Sequence, residues 1–205
     1  KGGTGKSTVT VMLGIAAARA GKRVLLADFD APLCSLDLML SMQDQMVFHL
    51  GDVMSGKCRM QSAVYSHPDI DGLSLCCAHE ESGQTNAALI KQAALLRGVE
   101  NRYDLILLDL PAGLFNSTDI ANSVSDEVVV VLTPDIVCAR DVQKLAPFIT
   151  VPARLVFNKV DRISVKAGGL LDLDEAMDLS GMALLGVVPF IQEVAGLANK
   201  GGAGH

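Results

Sequence analysis

The residues best suited to chemistry stand at the start of the sequence, in the run Lys1-Gly2-Gly3-Thr4-Gly5-Lys6-Ser7-Thr8. The three glycines let the backbone form a loop whose amide hydrogens point at anionic oxygens, and the helix predicted after it adds its positive N-terminal end. The Lys6 ammonium suits the β- and γ-phosphates of a nucleotide, and the Ser7 hydroxyl is a hard oxygen ligand for Mg²⁺. The phosphates are therefore expected to lie against Gly2, Gly3, Thr4, Gly5, Lys6, Ser7 and Thr8.

Two apolar runs that read as buried strands end in carboxylates. The first ends in Asp28-Phe29-Asp30, and the second runs from Asp104 to Asp109. Ligands of open α/β sheets gather at the carboxyl ends of the strands, so these groups are expected beside the phosphate loop. Asp109 fits a Walker B carboxylate that holds magnesium through water.

A second lysine, at position 1 of K-G-G-x-G-K-S, gives the loop a rarer form. This form resembles the deviant Walker A motif of the MinD/ParA group of P-loop ATPases, and the resemblance runs from Lys1 to about Gly202 with the motifs in order. In that group the extra lysine reaches into the nucleotide site of a second subunit across an ATP-sandwich dimer. The resemblance implies the cofactors ATP and Mg²⁺ and a homodimer that forms on ATP binding.

The resemblance also implies roles for the carboxylates and for the turn after Asp109. Asp30 would lie near the attacking water, so Lys1, Lys6 and Asp30 are the implied catalytic residues. Asp28 would stand in the outer shell of the magnesium, which Ser7 ligates directly and Asp109 through water. The sequence from Asp109 through Pro111, Ala112 and Gly113 is similar to switch II of the group, although a turn with Pro and Gly alone would look the same.

The residues implied to bind the base lie in the second half of the chain. Asn158 follows a predicted strand over 153–157 and would pair with the edge of adenine, and Pro189 would lie near the adenine pocket. Relatives commonly carry an acidic residue after that proline, whereas this chain has Phe190. The stretch from Asn158 to Asp161 also looks like the guanine-reading N-K-x-D of GTPases, but the deviant loop favours ATP.

The remaining pattern predicts the elements that position these residues. A length of 205 residues, half of them hydrophobic, suits one α/β domain over residues 1–205, with a mostly parallel sheet and helices on both faces in three layers. No residues precede Lys1 to form the central strand that feeds such a loop, so the sequence is expected to lack it. The other predicted elements are a helix over 8–20 with Val9, Met12, Leu13, Ala16, Ala17 and Ala20 inward, two helices within 48–65, a strand over 72–78, a helix over 84–98, strands over 128–132 and 183–188, and helices over 171–179 and 193–199.

Composition limits the possible partners and the compartment. A net charge of −6 does not favour a surface that wraps nucleic acid. The five cysteines show no C-x-x-C spacing and suggest reduced thiols rather than a metal site or a disulfide framework. With no signal peptide or apolar stretch of transmembrane length, the chain is expected in the cytoplasm, with at most a peripheral association with the membrane surface.

The implied function is an ATPase that positions the cell-division site by cycling between partners or a membrane, with an activator or inhibitor protein of that system as the expected partner. Two alternatives share the core: a ParA-type DNA segregator and a flagellar-number ATPase. Alternatives of another class are a nucleotide-binding adaptor without turnover and an iron-sulfur scaffold.

Overall fold

The computed structural model describes residues 3–30, 34–78, 85–113, 116–161, 177–178 and 180–190. These residues form two compact units, one made of residues 3–6 and 112–190 and the other of residues 7–111. The predicted helices over 171–179 and 193–199 lie outside the described residues in whole or in large part. The prediction of one domain stays a prediction.

The unit of residues 7–111 is a mixed sheet with helices. Its four strands run in the order β2-β3-β1-β4, with β1 parallel to both β3 and β4 and β2 antiparallel to β3. The parallel strands are short apolar runs, of which β1 and β3 are buried along their whole length. The elements are α1 (Lys6–Arg19), β1 (Val24–Asp28), α2 (Leu36–Met39), α3 (Leu50–Met54), β2 (Tyr65–Ser66), β3 (Leu73–Cys77), α4 (Asn86–Ala94) and β4 (Leu105–Asp109).

Helix α1 packs on this sheet through small residues. Val11, Gly14 and Ala18 are its buried positions, while Met12 and Leu13 are about two-fifths exposed (40% and 41%). The predicted inward face of α1 is therefore wrong. The reason is that Gly14 has no side chain and lets the helix close on β1, where a Cβ on Gly14 would come within 2.6 Å of Leu26 Cδ2.

A glycine cap ends α1. Gly21 has a φ of +81°. Its amide donates to the Ala18 carbonyl at 2.8 Å, and the Lys22 amide donates to the Ala17 carbonyl at 3.1 Å. This pair of bonds satisfies the last helical carbonyls and turns the chain into β1.

The unit of residues 3–6 and 112–190 contains a second sheet, in which β6 pairs in parallel with β5 and β7. Its core gathers apolar side chains of β5, β6 and α6, including Leu132, Val142 and Phe157. The elements are α5 (Asn116–Val124), β5 (Val128–Leu132), α6 (Ile136–Leu145), β6 (Ala153–Val160) and β7 (Ala183–Pro189). The predicted α/β class with mostly parallel strands is confirmed.

Three predicted boundaries are wrong. The second helix expected within 48–65 is a single 3-10 turn, Met60–Ser62, followed by β2. The helix expected over 84–98 is α4, with its last turn tightened into a 3-10 turn at Leu95–Gly98. Strand β6 continues three residues beyond the predicted end, so Asn158 lies inside the strand.

Within the described residues, no helix combines the length and the apolar character that crossing a membrane requires.

Candidate functional site

The loop before α1 has the backbone shape that its glycines predict. Gly3 and Gly5 have φ values of +82° and +89°, which residues with a side chain rarely adopt. Thr4 between them is buried, and its Oγ1 has no hydrogen-bond partner in the described part of the chain. Because α1 begins at Lys6, the loop leads straight into the first turn of a helix, where Ser7 and Thr8 are half-buried.

Two consecutive residues of β6 hold this loop by its carbonyl oxygens. Asn158 Nδ2 donates to the Thr4 carbonyl at 2.9 Å, and Lys159 Nζ donates to the Gly3 carbonyl at 2.9 Å. A Cβ added to Gly5 would overlap the Asn158 amide, so the close approach requires glycine there. These two bonds engage the carbonyl oxygens of Gly3 and Thr4 and tie the loop to β6.

Lys159 takes an uncommon backbone conformation to reach the loop. Its φ is +59°, one of two such values among the described residues other than glycine. Its amide donates to Asn158 Oδ1 at 2.9 Å, which fixes the asparagine amide in the orientation that reaches Thr4. A left-handed residue of this kind costs roughly 1 kcal/mol or more, so a surrounding contact must hold it.

In the other unit, Asp28 organises the segment after β1. Its side chain is fully buried. Oδ1 accepts a hydrogen bond from the Asp30 amide at 3.0 Å, and Oδ2 accepts from the Ser35 and Leu36 amides at 2.8 and 2.9 Å. Burial raises the pKa of the Asp28 carboxyl, and the three amide donors oppose that rise. The carboxylate thus ties Asp30 and the start of α2 to the end of β1.

The two predicted strand-end carboxylates are neighbours. Asp28 and Asp109 are register partners in the parallel strands β1 and β4, and both are buried. The Phe29 amide donates to the Asp109 carbonyl at 2.8 Å, which continues the ladder past the strand ends. Asp30 is half-buried immediately beyond.

The turn after β4 opens to solvent. Pro111 is half-buried, whereas Ala112 and Gly113 are exposed. Gly113 has a φ of +150°, a value that glycine adopts more readily than other residues.

The two residues implied to bind adenine lie on neighbouring strands. Pro189, which is exposed at the end of β7, is the register partner of Val160 in β6, two residues beyond the buried Asn158. Lys1 and Gly2 lie outside the described residues. Their predicted roles therefore stay predictions.

Sequence reasoning missed two features of these surroundings. The N-K-x-D pattern contains Lys159, but the contact of Lys159 with Gly3 depends on a backbone conformation that no sequence pattern indicates. Cys34 and Cys77 lie close together near Asp28, but they are 43 positions apart in the chain, and no sequence pattern predicts that they meet.

Comparison with known proteins places this chain beside division-site proteins. A family model described as an AAA domain matches residues 1–159. The chain is 32% identical to a putative septum site-determining protein MinD of Emiliania huxleyi, over 98% of this chain and 75% of that protein. It is also 32% identical to septum site-determining protein MinD of Bacillus subtilis, over 98% of this chain and 77% of that protein.

Solved structures of cell division proteins are also similar to this chain. The MinC:MinD cell division protein complex of Aquifex aeolicus superposes with a TM-score of 0.86 at 27% identity, over 98% of this chain and 83% of that one. MinD of Pyrococcus horikoshii, solved with Mg-ADP, superposes with a TM-score of 0.80 at 26% identity, over 98% and 82%.

Proposed function

The chain belongs to the MinD family of P-loop ATPases, and from that premise we propose that it binds and hydrolyses Mg-ATP as a dimer and thereby helps to position the division site. The observation that carries this proposal is the loop before α1, whose backbone shape at Gly3 and Gly5 and whose carbonyl bonds to Asn158 and Lys159 suit a phosphate cradle. The Mg-ADP complex of the Pyrococcus horikoshii relative supports the choice of nucleotide.

The loop supplies the charge and the donors that phosphoryl transfer needs. Its amides and the N-terminus of α1 face the phosphate oxygens, and Lys6 neutralises the β- and γ-phosphates. Thr4, whose buried Oγ1 has no protein partner among the described residues, has a hydroxyl free to bond within the loaded site. These groups stabilise charge that grows on the transferred phosphoryl.

The oxygen donors present fit a magnesium ion. Ser7 offers a hydroxyl, and the buried carboxylates Asp28 and Asp109 act through water. Asp28, whose carboxylate is held in place by the Asp30, Ser35 and Leu36 amides, acts at an outer position. The ion, when bound, neutralises phosphate charge.

The remaining residues act around the γ-phosphate and the base. Lys1 reaches the triphosphate of the second copy, while Asp30 orients the attacking water. Pro111, Ala112 and Gly113 relax when the γ-phosphate is lost, which loosens the dimer. Asn158 and Pro189 bind adenine, with Asn158 using its second amide hydrogen because the first is bonded to Thr4.

Partner binding follows the nucleotide cycle in this proposal. The Aquifex aeolicus complex of MinC with MinD makes a division-site protein the first partner to test. Association with a membrane surface is a separate part of the proposal, and co-sedimentation with anionic liposomes in ATP and in ADP tests it.

A phosphate-release assay on the purified protein tests the enzymatic core. We expect slow release from ATP that needs Mg²⁺, stops with a chelator and rises when a MinC-type partner or liposomes are added. Lys6→Ala is expected to abolish nucleotide binding and release together. ATP binding by the wild type without any magnesium-dependent release would instead make the protein a non-hydrolysing adaptor, and no nucleotide binding at all would overturn the proposal.

A further inference from the structure

Two thiols and a carboxylate converge where the segment after β1 meets the end of β3. One carboxylate oxygen of Asp28 and the Sγ atoms of Cys34 and Cys77 all lie within 4.8 Å of one another. The Cys34 Sγ also lies 3.5 Å from the Ala78 carbonyl oxygen. Three side chains from three segments thus present soft and hard donors to one point.

The burial of this cluster suits a bound ion with a route from solvent. Asp28 and Cys77 are 0% and 1% exposed, whereas Cys34 is half-buried and forms the outer side. The three cysteines of this region are free thiols, and the third of them, Cys76, directly precedes Cys77 in β3. Alternation along the strand turns Cys76 to the opposite face, so the cluster contains two sulfurs.

We propose that Asp28, Cys34 and Cys77 form a binding site for a thiophilic divalent cation, for which Zn²⁺ is the natural occupant. Zinc takes four ligands from cysteine, carboxylate and water, and two thiolates select it over Mg²⁺. On binding, each thiol releases its proton to solvent and its sulfur lone pair forms the metal bond. Water entering beside Cys34 or the Ala78 carbonyl completes the coordination.

The cation would act on the segment that follows β1. Asp28 Oδ1 accepts one backbone hydrogen bond and keeps a lone pair for a metal, while Oδ2 accepts two from Ser35 and Leu36. A metal held by Asp28 and by Cys34 therefore fixes this segment to the ends of β1 and β3. Binding to the folded state alone raises the thermal stability.

Cobalt is the probe for this site because its bonds to thiolate absorb visibly. We expect that adding Co²⁺ to the reduced protein, without nucleotide, produces a thiolate-to-cobalt charge-transfer band that saturates at one equivalent. Zn²⁺ should displace the cobalt, and a large excess of Mg²⁺ should not. Because no nucleotide is present, the result does not depend on the ATPase proposal.

Cysteine variants identify the ligands. Cys34→Ser and Cys77→Ser should each lose the band and the rise in Tm that Zn²⁺ gives, while Cys58→Ser, which alters a thiol outside the cluster, should keep both. Substitution of Cys34 is expected to disturb folding less than substitution of Cys77, because Cys34 is half-buried. If Cys77→Ser does not fold, Cys34→Ser alone tests the metal site. A band that persists in Cys34→Ser, or no band in the wild type, overturns the proposal.

A redox pair is the competing use of the same sulfurs. A disulfide between Cys34 and Cys77 would leave three of the five cysteines titratable in the denatured wild type purified without reductant, but four in Cys34→Ser, which cannot form that bond. That result would overturn the metal site in favour of a disulfide. Five titratable thiols in the unreduced protein, together with the cobalt band, support the metal site.

Discussion

At the scale of single residues, Asn158 matters because one side chain holds the loop and, in the proposed function, also binds adenine. Its Nδ2 bonds the Thr4 carbonyl and its Oδ1 accepts from the Lys159 amide, so the amide group is fixed at both ends. A buried and fixed amide is preorganised and loses little entropy when a ligand binds. The proposed function therefore makes adenine binding depend on the same residue that holds the loop.

Asn158→Ala is expected to weaken ATP binding by about fivefold to tenfold, because the loop loses a hydrogen bond worth about 1 kcal/mol and adenine loses its partner. Isothermal titration with ATP measures the change.

Asn122→Ala is the matched control for that measurement. Asn122 also clamps backbone at both ends of its amide, donating to the Phe148 carbonyl and accepting from the Thr150 amide at 2.8 and 2.9 Å. We expect the control to lower the Tm without changing the ATP affinity. Equal affinities for Asn158→Ala and the wild type would contradict the role given to Asn158.

At the scale of elements, α1 packs closely on β1. Gly14 faces Leu26 at a distance that leaves no room for a Cβ, and the apolar side chains of Met12 and Leu13 point elsewhere. The helix is thereby held close to the strand that ends in Asp28.

Gly14→Val is expected to destabilise the protein by about 1–3 kcal/mol, since the new side chain overpacks against Leu26. Chemical denaturation measures the free energy of unfolding. Ala16→Val, at an exposed position of the same helix, should cost less than about 1 kcal/mol. If overpacking is the cause, Gly14→Val should cost less in a Leu26→Ala background than in the wild type, and an unchanged cost would count against this packing.

The elements also show which parts of the structure a sequence can reveal. Strands β1, β4 and β5 were predicted to within one residue because short apolar runs bounded by charged or turn residues leave few alternatives. The inward face of α1 could not be predicted, because burial there follows the smallest residue and not the most apolar ones. The end of β6 was missed since the chain passes Asn158 with a register shift and a left-handed Lys159.

Among the candidate site residues, the sequence predicts those that belong to a local motif or to the end of a predicted strand. The loop glycines and the carboxylates Asp28 and Asp109 follow from motif spacing and from the rule for strand ends. The bond from Lys159 to Gly3 and the meeting of Cys34 with Cys77 depend on tertiary contacts, which the sequence does not display.

At the scale of the whole molecule, the proposed function requires two copies. In that proposal Lys1 serves the triphosphate of the neighbouring copy, so turnover depends on the meeting of two chains, whereas Lys6 serves the nucleotide of its own copy. Two chains of net charge −6 repel each other at long range, so bound nucleotide and the local positive charge of Lys1 must favour their association.

Sedimentation velocity with Mg²⁺ and a saturating, non-hydrolysable ATP analogue tests this claim most directly. The wild type is expected to sediment as a dimer, and Lys1→Ala to bind the analogue with the wild-type affinity while it remains a monomer. Lys6→Ala, which should bind no analogue, is the control for nucleotide dependence. A wild type that stays monomeric at saturation, or a Lys1→Ala variant that dimerises as fully as the wild type, would contradict the account.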